Sequence, residues 1–176
     1  MDSNTRQIKK IFEKAYAENT DALFRFALYR VSDREIAIDI VEDAYVRFWQ
    51  TLEKEEVKEP RAFLFKLTRN LIIDWYRKRK SVPIQDFSEG GAEGERAEIF
   101  MDMFEGNIPG ADVDLEARLL VEKIRELEPI YREAVYLRYV EELSPKEISA
   151  ITGEPTNLIS VRINRGLKLL KAALHI

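Results

Sequence analysis

Apolar positions recur at intervals of three and four along most of this 176-residue chain. Leu23, Phe26, Ala27 and Arg30 begin one stripe. Ile36, Ile40, Ala44, Phe48 and Leu52 form a second, and Leu64, Leu67, Leu71 and Trp75 a third. This is the spacing of one helix face, and no stretch sustains the alternation of a strand. Pro60 stands at the third stripe's start, where a helix has no use for the missing N–H. Farther on, Leu115, Leu119, Val121, Ile124 and Leu127 predict another helix. Pro129 opens the next, which runs through Val135 and Tyr139.

Residues 81–114 break the periodicity. They hold five of the seven glycines and two of the six prolines, and they are acidic. A structureless loop of this length is uncommon inside one compact domain. The chain is therefore expected to be all-α, with two small helical domains, 1–80 and 115–176. An acidic flexible linker would join them, with one helical turn near residues 99–104.

The last thirty-odd residues carry a more specific pattern. Ser144-Pro145-Lys146-Glu147 has the form of a capping box with proline at the first helical position. Ile148 and Ile151 point that short helix inward, and Gly153 can take the positive φ that ends it. Pro155 starts a longer helix with the stripe Ile159, Ile163, Leu167, Leu170 and Leu174. Short helix, tight turn and longer helix make a helix-turn-helix layout. At 100° per residue the side opposite the stripe carries Asn157, Ser160, Val161, Asn164, Arg165 and Lys168, with Arg162 on a flank. Arginine can address guanine, asparagine adenine, and a methyl group thymine. The ordinary alternative is an amphipathic helix in a bundle, but an acid-free outer face on an acidic protein favours DNA.

Charge is sorted into blocks. The net charge is −4, yet residues 61–80 hold seven basic groups against one acid, Asp74. Residues 156–175 hold four basic groups and no acid, whereas residues 35–59 hold eight acids against three bases. Residues 86–105 hold seven acids and one base. Such blocks point to different partners for different surfaces. There is no cysteine, and the single histidine, His175, is next to last, so thiolate and zinc chemistry are not expected. The N-terminus lacks a signal-peptide core and no run of about 18 apolar residues occurs, so a cytoplasmic chain without membrane insertion is expected.

The densest positive charge lies in RAFLFKLTRNLIIDWYRKRK, residues 61–80, beside Phe63, Phe65, Trp75 and Tyr76. A core helix with a solvated basic end, a helix lying on a membrane, and a surface that stacks on bases all fit this stretch alone. Set beside its neighbours, it resembles one family. DREIAIDIVEDAYVRFWQTL is similar to the core-polymerase-binding helix of the extracytoplasmic-function (ECF) sigma factors, within the sigma-70 family of RNA polymerase sigma factors. PRAFLFKLTRNLIIDWYRKRK resembles their segment that melts and reads the minus-ten promoter element. LSPKEISAITGEPTNLISVRINRGLKLLK resembles their reader of the minus-35 element.

The resemblance implies a promoter-specificity factor with no catalytic site of its own and no cofactor. Its partners would be promoter DNA, core RNA polymerase through the beta-prime coiled coil and beta flap, and a separate anti-sigma factor. By the same resemblance Asp39, Glu42 and Asp43 dock on polymerase, and Asn70 lies near the pocket for a flipped minus-ten base. Arg69, Arg77, Lys78 and Arg79 touch phosphates, with Trp75 divided between core and DNA, and most other aromatics belong to the core. Asn157, Ser160, Val161, Arg162, Asn164, Arg165 and Lys168 face the minus-35 duplex. The acidic linker would thread the polymerase cleft. The chain departs from the family at Ser160, where Lys or Arg is usual, and at Val161, where Ser is usual. Two rivals stand beside this reading. One is a stand-alone helix-turn-helix regulator. The other is a metal-dependent nuclease built on Asp39, Glu42 and Asp43.

Overall fold

The computed structural model describes residues 3–79 and 111–174. Of the expected linker over 81–114, residues 81–110, with the helical turn at 99–104, lie outside the described residues, as do Lys80 and His175. Among the described residues there are seven α-helices and no strand. They are α1 (Ser3–Val31), α2 (Arg34–Leu52), α3 (Pro60–Arg79), α4 (Ala111–Arg125), α5 (Pro129–Tyr139), α6 (Pro145–Thr152) and α7 (Thr156–Leu174). They fall into two compact units, α1 to α3 and α4 to α7. Helix α4 begins at Ala111, four positions ahead of the expected start at 115.

In the first unit α1, α2 and α3 pack pairwise on one another. The chain leaves α1 through Ser32, in the left-handed region at φ 54°. Asp33 then takes extended backbone, and its Oδ1 accepts the Ile36 N–H at 3.0 Å, so a side chain supplies the bond the first turn lacks. The stripe of α2 is buried as its spacing requires: Ile40, Ala44, Phe48 and Leu52, with Ile36 half-buried. Phe26, Leu23 and Leu28 of α1 and Leu64, Phe65 and Ile72 of α3 complete a core of fully buried side chains. Each stabilises the fold by roughly 1.5–3 kcal/mol relative to exposure.

In the second unit α7 packs against α4, α5 and α6. Pro129 opens α5, and its N-cap Glu128 makes no side-chain capping bond. A different device closes that corner: Arg132 of α5 donates from Nε and Nη2 to the Leu127 carbonyl, at 3.1 and 2.9 Å. Helix α6 carries the full capping box. Ser144 Oγ accepts the Glu147 N–H at 3.2 Å, and the Ser144 N–H donates to Glu147 Oε2 at 2.8 Å. Gly153 closes α6 at φ 77°, where a β-carbon would strain the backbone. Helix α7 starts at Thr156, one residue after Pro155, whose carbonyl accepts the Ile159 N–H. Ile159, Ile163 and Leu170 are buried, while Leu167 and Leu174 are half-buried. In α4, Val121 and Ile124 face the core, as does Leu127 just beyond the helix, but Leu119 is exposed.

Candidate nucleic-acid interface

The helix-turn-helix face is built by the short α6, the Gly153 turn and α7. Two hydrogen bonds set the turn: Ser149 Oγ donates to the Glu154 carbonyl at 2.6 Å, and the Glu154 N–H donates to Thr152 Oγ1 at 3.3 Å. Asn157, Val161, Asn164, Arg165 and Lys168 are all exposed along one side of α7. Val161 is 43% exposed, so its methyl groups are available on this side. Ser160 is half-buried, and its hydroxyl donates to the Thr156 carbonyl at 3.0 Å, so its one proton is spent on its own helix. Arg162 differs again. Its Nη1 pairs with Glu154 Oε2, and the two side chains are only 22% and 33% exposed.

Gly166 was not singled out in the sequence, and it fixes where α7 sits. A β-carbon there would overlap Val135 Cγ2 and approach Tyr131 Cβ at 3.2 Å. The absence of a side chain lets α7 lie directly on α5. A glycine inside a helix, where it costs about 1 kcal/mol against alanine, is the sequence signal for such a contact.

On α3 the expected residues do not share one surface. Asn70 is exposed, between Lys66 and Arg77 on the same side. Trp75 and Arg79 lie about 140° and 180° away from it around the helix. Trp75 continues the line of Leu64, Thr68 and Leu71, all buried, and is itself half-buried. The Arg79 guanidinium sits over its ring, 5.0 Å from the centroid. The next residue, Tyr76, packs edge-on against Trp75 and donates its hydroxyl proton to the Arg30 carbonyl near the end of α1. Thus the aromatic pair closes one end of the three-helix core. Arg77 pairs with Asp74 at 3.6 Å, with both side chains about half exposed or more. Such a pair is worth about 0–1 kcal/mol and leaves the guanidinium free to exchange partners. Lys78 is exposed, and Arg69 is half-buried.

Asp39, Glu42 and Asp43 are all exposed on α2. Sequence reading missed what stands among them: Ile38 and Val46, 39% and 55% exposed. The outward side of α2 therefore mixes acids with two apolar side chains, which differs from a purely charged solvated face. Among the described residues no group of three acids, histidines or cysteines gathers closely enough to hold a metal ion. Across the α1–α2 seam Phe12 stacks on Phe48 and meets Tyr45 and Trp49 edge-on, with centroids 5.3–6.1 Å apart. Tyr45 shares a 3.1 Å hydrogen bond with Thr20. Burial pushes the Tyr45 phenol above its ordinary value, the Thr20 hydrogen bond opposes this, and nearby Tyr16 and Asp21 add to the rise.

Comparison with known proteins joins these surfaces. The Sigma-70 region 2 family matches residues 15–82, and the Sigma-70, region 4 family matches residues 117–170. The first span holds α2 and α3, and the second holds α5, α6 and most of α7. The chain is 30% identical to the ECF RNA polymerase sigma factor SigW of Bacillus subtilis (strain 168) over 180 residues, 97% of this chain and 94% of that one. It is 26% identical to the RNA polymerase sigma factor SigV of the same organism, over 94% and 92% of the two chains. Its fold matches the sigma factor RpoE of Bartonella quintana, solved with the anti-sigma factor NepR, at a TM-score of 0.64 and 23% identity, covering 95% of this chain and 98% of that one. With a region 2 unit, a region 4 unit and a full-length relative, the chain belongs to the extracytoplasmic-function sigma factors of the sigma-70 family.

Proposed function

We propose that this sigma factor directs RNA polymerase to promoters by dividing the work between its two units. The second unit lays α7 against the minus-35 duplex, with Asn164 and Arg165 at base edges and Lys168 at phosphate. The first unit holds a base of the melted minus-ten strand near Asn70, with Lys66, Arg77 and Lys78 close to its backbone. Single-strand capture requires both positive charge and a pocket that offsets lost pairing. Trp75, half-buried beneath the Arg79 guanidinium, supports that surface rather than forming it. Ile38, Val46 and the acids around them dock on the basic coiled coil of the polymerase beta-prime subunit, and the second unit meets the beta flap. The chain works in the cytoplasm, performs no catalysis itself, and is held inactive by a separate anti-sigma factor, as the RpoE and NepR pair suggests.

The observation that carries this reading is the acid-free exposed side of α7, set in a helix-turn-helix on an otherwise acidic chain. Run-off transcription over a genomic promoter library, with and without this chain added to core polymerase, tests it. New start sites that need both components are the expected result. A chain that binds duplex DNA but neither co-purifies with core polymerase nor changes its start sites would be a stand-alone regulator instead.

A further inference from the structure

Arg162 and Glu154 stand out on the DNA-facing unit because their charges are spent on each other. Glu154 lies in the turn between α6 and α7. Its backbone is fixed on both sides, through its N–H on Thr152 and its carbonyl on Ser149. Its carboxylate therefore arrives in place without ordering a mobile loop. Arg162 is two turns into α7, at the flank of the exposed face, and its guanidinium is drawn back onto Glu154. Both side chains are at least two-thirds covered, unlike the exposed pair of Arg77 and Asp74. The flank of a helix lying in the major groove faces the sugar-phosphate wall. A free arginine there would contact phosphate on any sequence.

We propose that Glu154 is a specificity-determining residue that withholds Arg162 from the DNA backbone. This rests on α7 being the helix that enters the groove. Phosphate contacts strengthen binding to every site equally, whereas base contacts strengthen it at the right one. Removing one phosphate contact lowers competition from non-promoter DNA while the contribution of Asn164 and Arg165 at base edges is kept. Ser160 adds no cation on this side either, and its hydroxyl proton is committed to the Thr156 carbonyl. The local device is a fixed acid that cancels a cation beside the groove.

A mutant cycle on the full chain tests the proposal. The parent, Glu154→Gln, Arg162→Ala and the double variant are titrated against a random-sequence 30-base-pair duplex by fluorescence anisotropy at several salt concentrations. Glu154→Gln is expected to tighten binding by roughly three- to tenfold and to steepen the log–log salt dependence by about 0.9. Arg162→Ala is expected to weaken the Glu154→Gln variant at least about threefold more than it weakens the parent, since only there does Arg162 reach DNA. Equal losses in the two backgrounds would overturn the proposal, because a net-charge effect alone is additive. No tightening on Glu154→Gln would overturn it as well. Arg165→Ala is run beside the cycle. If it weakens binding while the cycle shows no coupling, the withholding role alone falls. If it has no effect, α7 is not the helix on DNA, and both readings fall together.

Discussion

A single missing β-carbon sets the position of α7 on α5. At Gly166 two effects compete: alanine would gain about 1 kcal/mol in helix propensity, but overpacking costs about 1–3 kcal/mol. The contact falls on Val135 and on the β-carbon of Tyr131, which is tied to the α5 backbone and cannot rotate away. Overpacking should win, and Gly166→Ala should lower the thermal midpoint of the second unit by several degrees in a circular-dichroism melt. An unchanged or higher midpoint would show that α5 yields easily. Tyr45 gives a residue-scale prediction of another kind. Its phenol loses its proton above the ordinary value of 10.0 because the ring is buried. The unfolded chain releases that proton first, so stability falls as pH rises beyond about 10. Tyr45→Phe should flatten this alkaline fall, measured as urea midpoints across the alkaline range, even if it lowers stability at neutral pH.

Helices α2 and α7 each present one face to the core and another to solvent, and the outward faces are opposite in charge. On α2 the exposed acids share the outward side with Ile38 and Val46, so attraction and burial would act together in docking. Reversing Asp39 and Asp43 to Lys places like charges across the interface, at a cost of several kcal/mol. Affinity for core polymerase should fall a hundredfold or more, on the order expected at 1.4 kcal/mol per decade, while helicity stays unchanged. Undiminished affinity in a titration against core enzyme would remove this surface from the reading. On α7, Arg165→Ala should cost about 1–3 kcal/mol at one base pair and relax the choice there. Lys168→Ala should weaken all sequences alike and reduce the salt slope by about 0.9. If the two variants behave alike across promoter variants, the face of α7 has been assigned in the wrong register.

At the scale of the whole molecule, the two units should perform separable steps. Asn70 belongs to the first unit and the helix-turn-helix to the second. Asn70→Ala should leave closed promoter binding near the parent level and impair strand opening. Permanganate reactivity of unpaired thymines, run beside a gel shift with the holoenzyme, measures both steps. Normal thymine reactivity in the variant would return α3 to the role of a core helix with a basic end. A defect that disappears on a pre-melted minus-ten bubble would show that Asn70 drives melting, whereas one that persists there would show that it reads the base.

The sequence by itself determined the helical class, the stripes and the stops. Apolar spacing decides which side of a helix must leave water, so Phe48, Leu64 and Ile163 could be placed inside from their intervals alone. Pro60, Pro129, Pro145 and Gly153 mark boundaries because their allowed φ angles are local properties. The capping box at Ser144 and Glu147 is local for the same reason, being closed within one turn. What the tertiary structure decided is which charged side chains are already in use. Glu154 and Arg162 are eight positions apart and carry no motif that joins them, and only the path of the turn brings them together. Trp75 falls toward the core side because it continues the buried line of Leu64, Thr68 and Leu71, and the exposed Arg79 is laid over its ring. Leu119 is exposed because it lies about 160° around α4 from Val121 and about 140° from Ile124, the residues that face the core. Helical periodicity is a property of one chain segment, but occupancy of a surface depends on neighbours that are distant in sequence, and that information exists only once the helices are packed.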